Sequence, residues 1–491
     1  MVMTGRDMVE RSYLRVKWEA DEDRMSEAAS KMDIYSDDYE DIIDEALTDL
    51  FVKENRERLR VHINQSQNVL KRVVNKISTI YKEGPQRQVK PRNARFDQLA
   101  GETKIDVKMR KVNRYANLLN ECLVKVGIRG GKIVYDIITP NICMVIQNEE
   151  DPTKADAVIY LVAYVDSRTK PDFYYHYWSV DGDYYVFDKE FRLKRIVYEG
   201  DGSGEGLPYP YREADGRFAL PFAICHRQDP DGAFWDQDSG RDLYNAAVTI
   251  GWKMTLFDYY FKTCTIKQPY IIGDVDKIAG KQVSDPLTFF HAPASEGAQI
   301  GLLDMQINLD QLSSSIKFAI NTIINNYGIS SDQYSLEIPE LSGRALKIMN
   351  SALLEIREEQ LPLYREFEQD LFGKTRIVNN AFPKLFAKIP DNLEMTVDFA
   401  EMDFPEDPMD ELELDTRKVK MGLIPLGSLY RKYNPDIESD EEGERILLEN
   451  LKKLEEIKGK HPDLEAALNE ILGAAAKERA PAAGPPEEGS E

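Results

Sequence analysis

The stretch LDQLSSSIKFAINTIINNY, residues 309–327, sets the fold because its apolar and polar residues separate on a helical period. Leu312, Ile316, Ala319, Ile320 and Ile323 recur at three- and four-residue steps, which predicts one apolar stripe on a helix. The other side is Ser313, Ser314, Lys317, Asn321 and Asn325, small, polar and nearly uncharged. Upstream, SGRDLYNAAVTIGWKMTLFDYYFKT (residues 239–263) repeats the pattern with Leu243, Ala247, Ile250, Met254 and Phe257. Between these helices, short strands are expected at Ile266–Ile272 and Leu287–His291. Downstream, the polar loop from Gly328 to Ser342 leads into a helix expected to reach about Phe382. At 1.5 Å per residue that helix would be roughly 60 Å long. Pro362 predicts a kink, since proline lacks the N–H and its ring clashes with the carbonyl of Glu358. Two amphipathic helices alone would suit an ordinary α+β domain. Helix, β excursion, helix, loop and long kinked helix, in that order, suit a protein that lines a channel.

The 491 residues allow about three domains and ample core. With 42% hydrophobic and 30% charged residues, composition is that of a soluble protein. No apolar run approaches the ~20 residues of a membrane helix, and Met1–Arg15 lacks the apolar centre of a signal peptide. Cys122, Cys143, Cys225 and Cys264 are scattered with no CxxC pair, so reduced thiols are expected rather than disulfides or zinc. A net charge of −23 opposes a DNA grip through the phosphate backbone. Nucleic acid is then either irrelevant or surrounded without being held.

Before the first stripe helix the pattern predicts a helix over Asp37–Leu59 and a second with Val69, Leu70, Val73, Ile77 and Ile80, capped by Asn64 or Ser66. A third is expected around Asp106–Cys122. Seven strands follow, at Leu123–Ile128, Lys132–Ile138, Met144–Gln147, Ala157–Val165, Phe173–Val180, Asp183–Asp188 and Leu193–Tyr198. Gly130-Gly131 and Asp181-Gly182 are hairpin signals. Gly200–Pro210 reads as a flexible glycine-proline loop, and Leu393–Phe399 as a strand that could rejoin the earlier sheet. A small helical unit is expected from Leu412 to about Lys477, ahead of a tail disordered by composition.

Catalytic signatures fail. Gly273 to Gln282 has six residues between its glycines and Gln282 after the lysine, where a P-loop needs four and Ser or Thr. His62, His176, His226, His291 and His461 have no partner at i+4 for metal chemistry, and His226 beside Cys225 points away from it in a regular element. Asp229, Asp231, Asp236 and Asp238 form an acid-rich turn that departs from calcium-loop spacing. No catalytic, cofactor or metal residue is therefore expected. A hydrolase with an acidic cleft at Asp229, Asp231 and Asp236 is the weaker alternative, as is a non-channel capsid scaffold or adaptor.

The ordered series resembles the portal proteins (head-to-tail connectors) of tailed bacteriophages. It comprises the helix from Gln67 to Ile77 with Tyr81 and Pro85, strands near Val124–Gly127 and Tyr135–Pro140, and the helix–strands–helix unit. It continues through the loop to Ser342-Gly343-Arg344-Ala345-Leu346, and then Val419 to Ser428 with Asn434-Pro435 and Glu441-Glu442. Pro425 departs from the family's turn there. The resemblance implies an α+β portal fold: α/β wing (1–238), stem helices (239–264 and 309–328) flanking a β-containing clip (265–308), tunnel loop (329–341), long kinked helix with a returning wing strand (342–407), helical crown (408–476) and tail (477–491). It implies a non-enzymatic ring, usually of twelve subunits, at one capsid vertex of a virion assembled in the host cytoplasm, without membrane or cofactor. Partners would be the large terminase subunit, a head-completion adaptor, major capsid and scaffolding proteins, and double-stranded DNA in the channel. Ser330, Ser331, Asp332, Gln333, Tyr334, Ser335 and Glu337 would form the channel loop, and Ser314, Lys317, Asn321 and Asn325 the channel face of the stem. Lys267, Lys277 and Lys281 would dock the motor, Pro362 would kink the long helix, and neighbouring subunits would cover the stem's apolar stripe.

Overall fold

A computed structural model describes residues 5–63, 68–164, 172–236, 240–264, 268–272, 299–303, 308–330, 350–401, 408–434, 437 and 439–460. The molecule is α+β, and its described residues fall into two compact units, one up to residue 401 and one from residue 408.

The larger unit opens with five helices, α1 (Gly5–Ala20), α2 (Glu22–Tyr35), α3 (Glu40–Ala46), α4 (Lys53–Arg60) and α5 (Val69–Ile77). The single helix expected over Asp37–Leu59 is thus two, because Val52 is extended (φ −65°, ψ 156°) and restarts the chain as α4. The α5 cap is Asn68, whose side chain accepts from Lys71 N, and not Asn64 or Ser66, which lie outside the described residues. After β1 (Gln86–Lys90) come α6 (Ala94–Thr103) and α7 (Ile105–Leu119). α6 was not legible from the pattern.

The strands β2 (Glu121–Arg129), β3 (Lys132–Ile138), β4 (Cys143–Gln147), β5 (Ala155–Tyr164), β6 (Asp172–Ser179), β7 (Asp183–Phe187) and β8 (Leu193–Glu199) fall where alternation places them. β4 to β8 make one antiparallel meander in chain order. β2 lies between β3 and a further strand, β9 (Phe222–His226). Gly200–Pro210 is folded back rather than free: Glu199 N bonds Leu207 O, Leu207 N bonds Val197 O, and Tyr209 is buried.

Next come α8 (Arg241–Cys264), β10 (Gln268–Ile272), β11 (Gln299–Leu303) and α9 (Leu309–Asn326). β10 and β11 pair antiparallel. A strand lies at 299–303 where none was expected, and the expected Leu287–His291 lies outside the described residues. α10 (Ser351–Asn380) carries Pro362 and runs unbroken through it. Pro362 and Glu358 are both exposed, so the carbonyl that loses its donor lies on the solvent side. The expected start at Ser342 lies outside the described residues. β12 (Glu394–Asp398) pairs with β1 in a separate ribbon, not with the larger sheets.

One core joins β2, β3 and β9, the inner face of the meander, and α10. A second is helical, built from α2, α3, α5, α8 and α9. Leu14, Trp18 and Met25 of α1–α2 cover the outer face of the meander with Met144, Ile159, Phe187 and Phe191. Cys122 and Cys225 sit opposite each other in register as free buried thiols.

The smaller unit holds α11 (Pro408–Lys420), α12 (Leu426–Tyr433) and α13 (Asp440–Lys460). Pro425 is the N-cap of α12, in extended conformation. Asp415 is buried and bonds Lys418 (3.2 Å) and Lys432 (2.6 Å). These hydrogen bonds, Lys432 first, hold its carboxyl below the usual carboxylate range.

Candidate functional site: the paired helices α8 and α9

α8 and α9 pack against each other as a two-helix stalk joined through the β10–β11 pair. Asn308 starts α9 by accepting Gln311 N at 3.0 Å. Its end is a Schellman turn: Ile329 N bonds Ile324 O, Gly328 N bonds Asn325 O, and Gly328 sits at φ +67°. A Cβ at Gly328 would meet Ala352 Cβ of α10 at 3.0 Å, so the turn also fixes how the chain leaves the stalk.

The stripe residues Leu243, Ile250, Ile316 and Ile323 are buried, and Ala247, Met254, Phe257, Leu312, Ala319 and Ile320 partly so. Within the chain the stripes of α8 and α9 cover each other, and α3, α4 and α5 pack on α8. The expectation that neighbours must cover the stripe is corrected on this point, because the N-terminal helices fold against it. The approach is close: a Cβ at Gly251 would lie 2.4 Å from Ile43 Cδ1.

Polar contacts tie the ends of the stalk. Tyr327 OH donates to Asp242 Oδ1 at 2.8 Å, joining the end of α9 to the start of α8. Burial, then that bond, holds the phenol protonated well above its ordinary range. Near the other end of α8, Asp258 Oδ2 meets Lys262 Nζ at 2.7 Å and His62 Nδ1 at 2.9 Å. The bond from Lys262, the largest influence, lowers Asp258 below the usual carboxylate range.

Ser314, Lys317, Asn321 and Asn325 are all exposed on one side of α9. From Gln311 to Asn326 nine residues are exposed (Gln311, Ser314, Ser315, Lys317, Phe318, Asn321, Thr322, Asn325 and Asn326), and Lys317 alone among them is charged. In a chain with 30% charged residues, that is a nearly neutral polar face. Phe318 is 73% exposed among the described residues, while Phe261, 54% exposed, stacks on Phe257. Of the loop residues, Ser330 is half-buried just past the turn, while Ser331, Asp332, Gln333, Tyr334, Ser335 and Glu337 lie outside the described residues, as do Lys267, Lys277 and Lys281.

Among the described residues, which leave out Asp238, the acidic turn assembles no site. Asp229 and Asp231 are exposed, and Asp236 is drawn away by its N–H to Glu121 Oε1 (2.8 Å). Among the described residues no group of three or more His, Cys, Asp or Glu could hold a metal, and no helix is long and apolar enough to cross a membrane.

Sequence reasoning missed the buried polar stripe of α10. Gln360 Nε2 donates to Asn117 Oδ1, Tyr364 OH accepts from Asn113 Nδ2, Thr375 meets the Tyr135 hydroxyl, and Asn379 Oδ1 accepts from Arg95 Nε. Glu368, 1% exposed, receives both Arg87 Nε (2.9 Å) and Nη2 (2.7 Å), plus Tyr81 OH (2.9 Å). Burial works to lower Arg87, but its bonds to Glu368 outweigh that and leave it raised. The spacing 360, 364, 368, 375, 379 is a helical face and was readable as such; only its direction was not.

No protein-family model and no curated protein matches this sequence. Among solved structures, a chain in the virion of a native gene transfer agent (GTA) particle aligns with a TM-score of 0.39 and 11% identity, covering 75% of this chain and 89% of that one. A chain in the neck of an empty GTA particle, computed with C6 symmetry, aligns at 0.38 and 11%, covering 73% and 87%.

Proposed function

We propose that the chain is a portal-type ring subunit of a tailed-phage particle, with α9 facing a DNA channel. The observation that carries this reading is the α8–β10/β11–α9 stalk with a nearly neutral, exposed polar face opposite a buried apolar stripe. Phosphates held by arginines would sit in energy wells, whereas serine and asparagine hydrogen-bond them weakly and interchangeably. A polyanion could therefore slide along such a face. Phe318, exposed among the described residues, would be covered by an adjacent subunit of a closed ring. Under this reading the β10–β11 tip, with Lys267, Lys277 and Lys281, docks the packaging motor and later an adaptor. The loop from Ser330 to Glu337 would touch the passing duplex.

Electron microscopy and mass measurement of the purified protein test this. Closed rings with an axial hole wide enough for a DNA duplex, about twelve subunits by the family resemblance, are expected. Monomer alone at micromolar concentration, or a solid assembly without a hole, would overturn the reading.

A further inference from the structure

We propose that the open edge of β9 is a docking site for an extended segment of a partner protein, one that alternates apolar residues with lysine or arginine. The inference is independent of the ring reading.

β9 is the outer strand of the order β3–β2–β9. Val126 N bonds Pro221 O and Arg227 N bonds Asn120 O, each at 2.8 Å, with Leu123 opposite Ile224 in the register between them. In an antiparallel ladder the bonding direction alternates along the strand. Residues 221, 223, 225 and 227 therefore address β2, while Phe222 and Ile224 turn their N–H and C=O groups away from it. Among the described residues those outward groups have no backbone partner. Native edges are commonly blunted by lysine, proline or a covering element. Phe222-Ala-Ile-Cys-His226 carries no lysine, and its one flanking proline, Pro221, sits before the strand.

Beside this edge runs a groove of about 1050 Å³, at the upper limit of the ~300–1,000 Å³ typical of ligand sites. Phe222, Ile224 and Val158 line it from the meander side, where the Phe222 ring meets Tyr160 and Trp178. Asp370 and Lys374 line it from α10, which packs on β9 from the side where Tyr364 meets Cys225. A groove bounded by elements from both faces of a sheet lies at the sheet's edge. Its apolar floor of Val158, Phe218, Leu220 and Ile224 suits every second side chain of an added strand.

Charge selects the occupant. Lys374 is already engaged by Glu213 (3.5 Å) and Asp370 (3.9 Å), and Arg217 by Asp215 (2.6 Å). Asp156 and Asp181, also on the groove, bond only to the neutral Asn148 and Ser179 among the described residues. The two unmatched carboxylates call for cations on the incoming strand.

The test uses the full-length protein and a labelled octapeptide alternating valine and lysine. Saturable binding is expected, with the Ile224 amide exchanging at least about tenfold more slowly in the complex. Replacing the peptide lysines by glutamate, or making D156K/D181K, should weaken binding by about tenfold or more. I224P removes the outward donor at a position where an edge strand tolerates proline, and should abolish binding. Methylating the peptide's backbone nitrogens on one edge should do the same without touching the protein. Unchanged exchange at Ile224 in the bound state, or tight binding of the methylated peptide, would overturn the proposal. So would an I224P variant whose assembly state changes, since the edge would then belong to a second copy of this chain.

Discussion

Helices α9 and α10 both carry a polar stripe at helical spacing, yet the stripes end in opposite places. Ser314, Lys317, Asn321 and Asn325 of α9 stand in solvent, whereas Gln360, Tyr364, Glu368, Thr375 and Asn379 of α10 are 5% exposed or less. The difference lies in what the rest of the chain offers. Opposite the α10 stripe stand Asn117, Asn113, Arg87, Tyr135 and Arg95, each with a complementary donor or acceptor. Nothing polar in the described chain closes over the outer side of α9, beyond Lys253 Nζ donating to Ser315 Oγ at 3.2 Å. Buried polar groups fix one arrangement, because an unpaired partner is costly to leave in the interior. Exposed ones are free to meet something else.

That contrast breaks most visibly at Glu368. Glu368→Ala should leave Arg87 buried with only Asp106 and cost about 3–5 kcal/mol, read from the urea midpoint; a loss below about 1 kcal/mol would mean the α10 network is not held as described. Replacing Arg87 and Glu368 together by methionine should recover much of that loss.

Two further groups, His176 buried and Lys125 half-buried, sharpen the comparison through pH. Burial pushes the Lys125 amine down from 10.5 to about 8 and, helped by the Lys125 charge, the His176 imidazole from 6.5 to about 4. In both cases the unfolded chain binds the proton more tightly. Stability should therefore rise with pH between 8 and 10.5 through Lys125, and fall as pH drops from 6.5 to 4 through His176. Each contributes up to about 3 kcal/mol. Stability curves of K125M and H176F should lack the corresponding slope, and identical slopes would place these groups in contact with water.

A smaller effect is expected where α9 turns toward α10. Gly328→Ala forces a left-handed conformation and a tight approach to Ala352, for about 1–2 kcal/mol. At the far end of the scale, Asn321→Ala and Ser314→Ala should change stability by less than about 0.5 kcal/mol. A cost above 1 kcal/mol in the dissociated chain would show that the α9 face is covered after all.

The meander was legible because Tyr, Phe and Val alternate on a period of two and the turn at Gly182 announces itself, as Gly130-Gly131 does for the β2–β3 hairpin. β9 was not: its five residues, FAICH, are apolar at four successive positions and have no alternation to read. β1 is nearly all polar, because only β12 pairs with it in a two-stranded ribbon. The break before α4 also escaped, since Thr48 to Val52 contains neither proline nor glycine and the chain turns there by packing.

The sequence by itself determined the periods: which residues share a face of α8, α9 and α10, where the meander strands begin, and that phosphate-loop and HExxH-type metal motifs are missing from the chain. Those follow from local spacing and need no partner. Only the tertiary structure decided which faces are inside. It laid α3 to α5 over the stripe of α8, set Arg87 and Tyr81 against Glu368 across 281 and 287 residues of chain, and left β9 as an open edge beside a groove. Burial depends on what long-range contacts bring opposite a face, and spacing along one segment carries no information about the segment that will meet it.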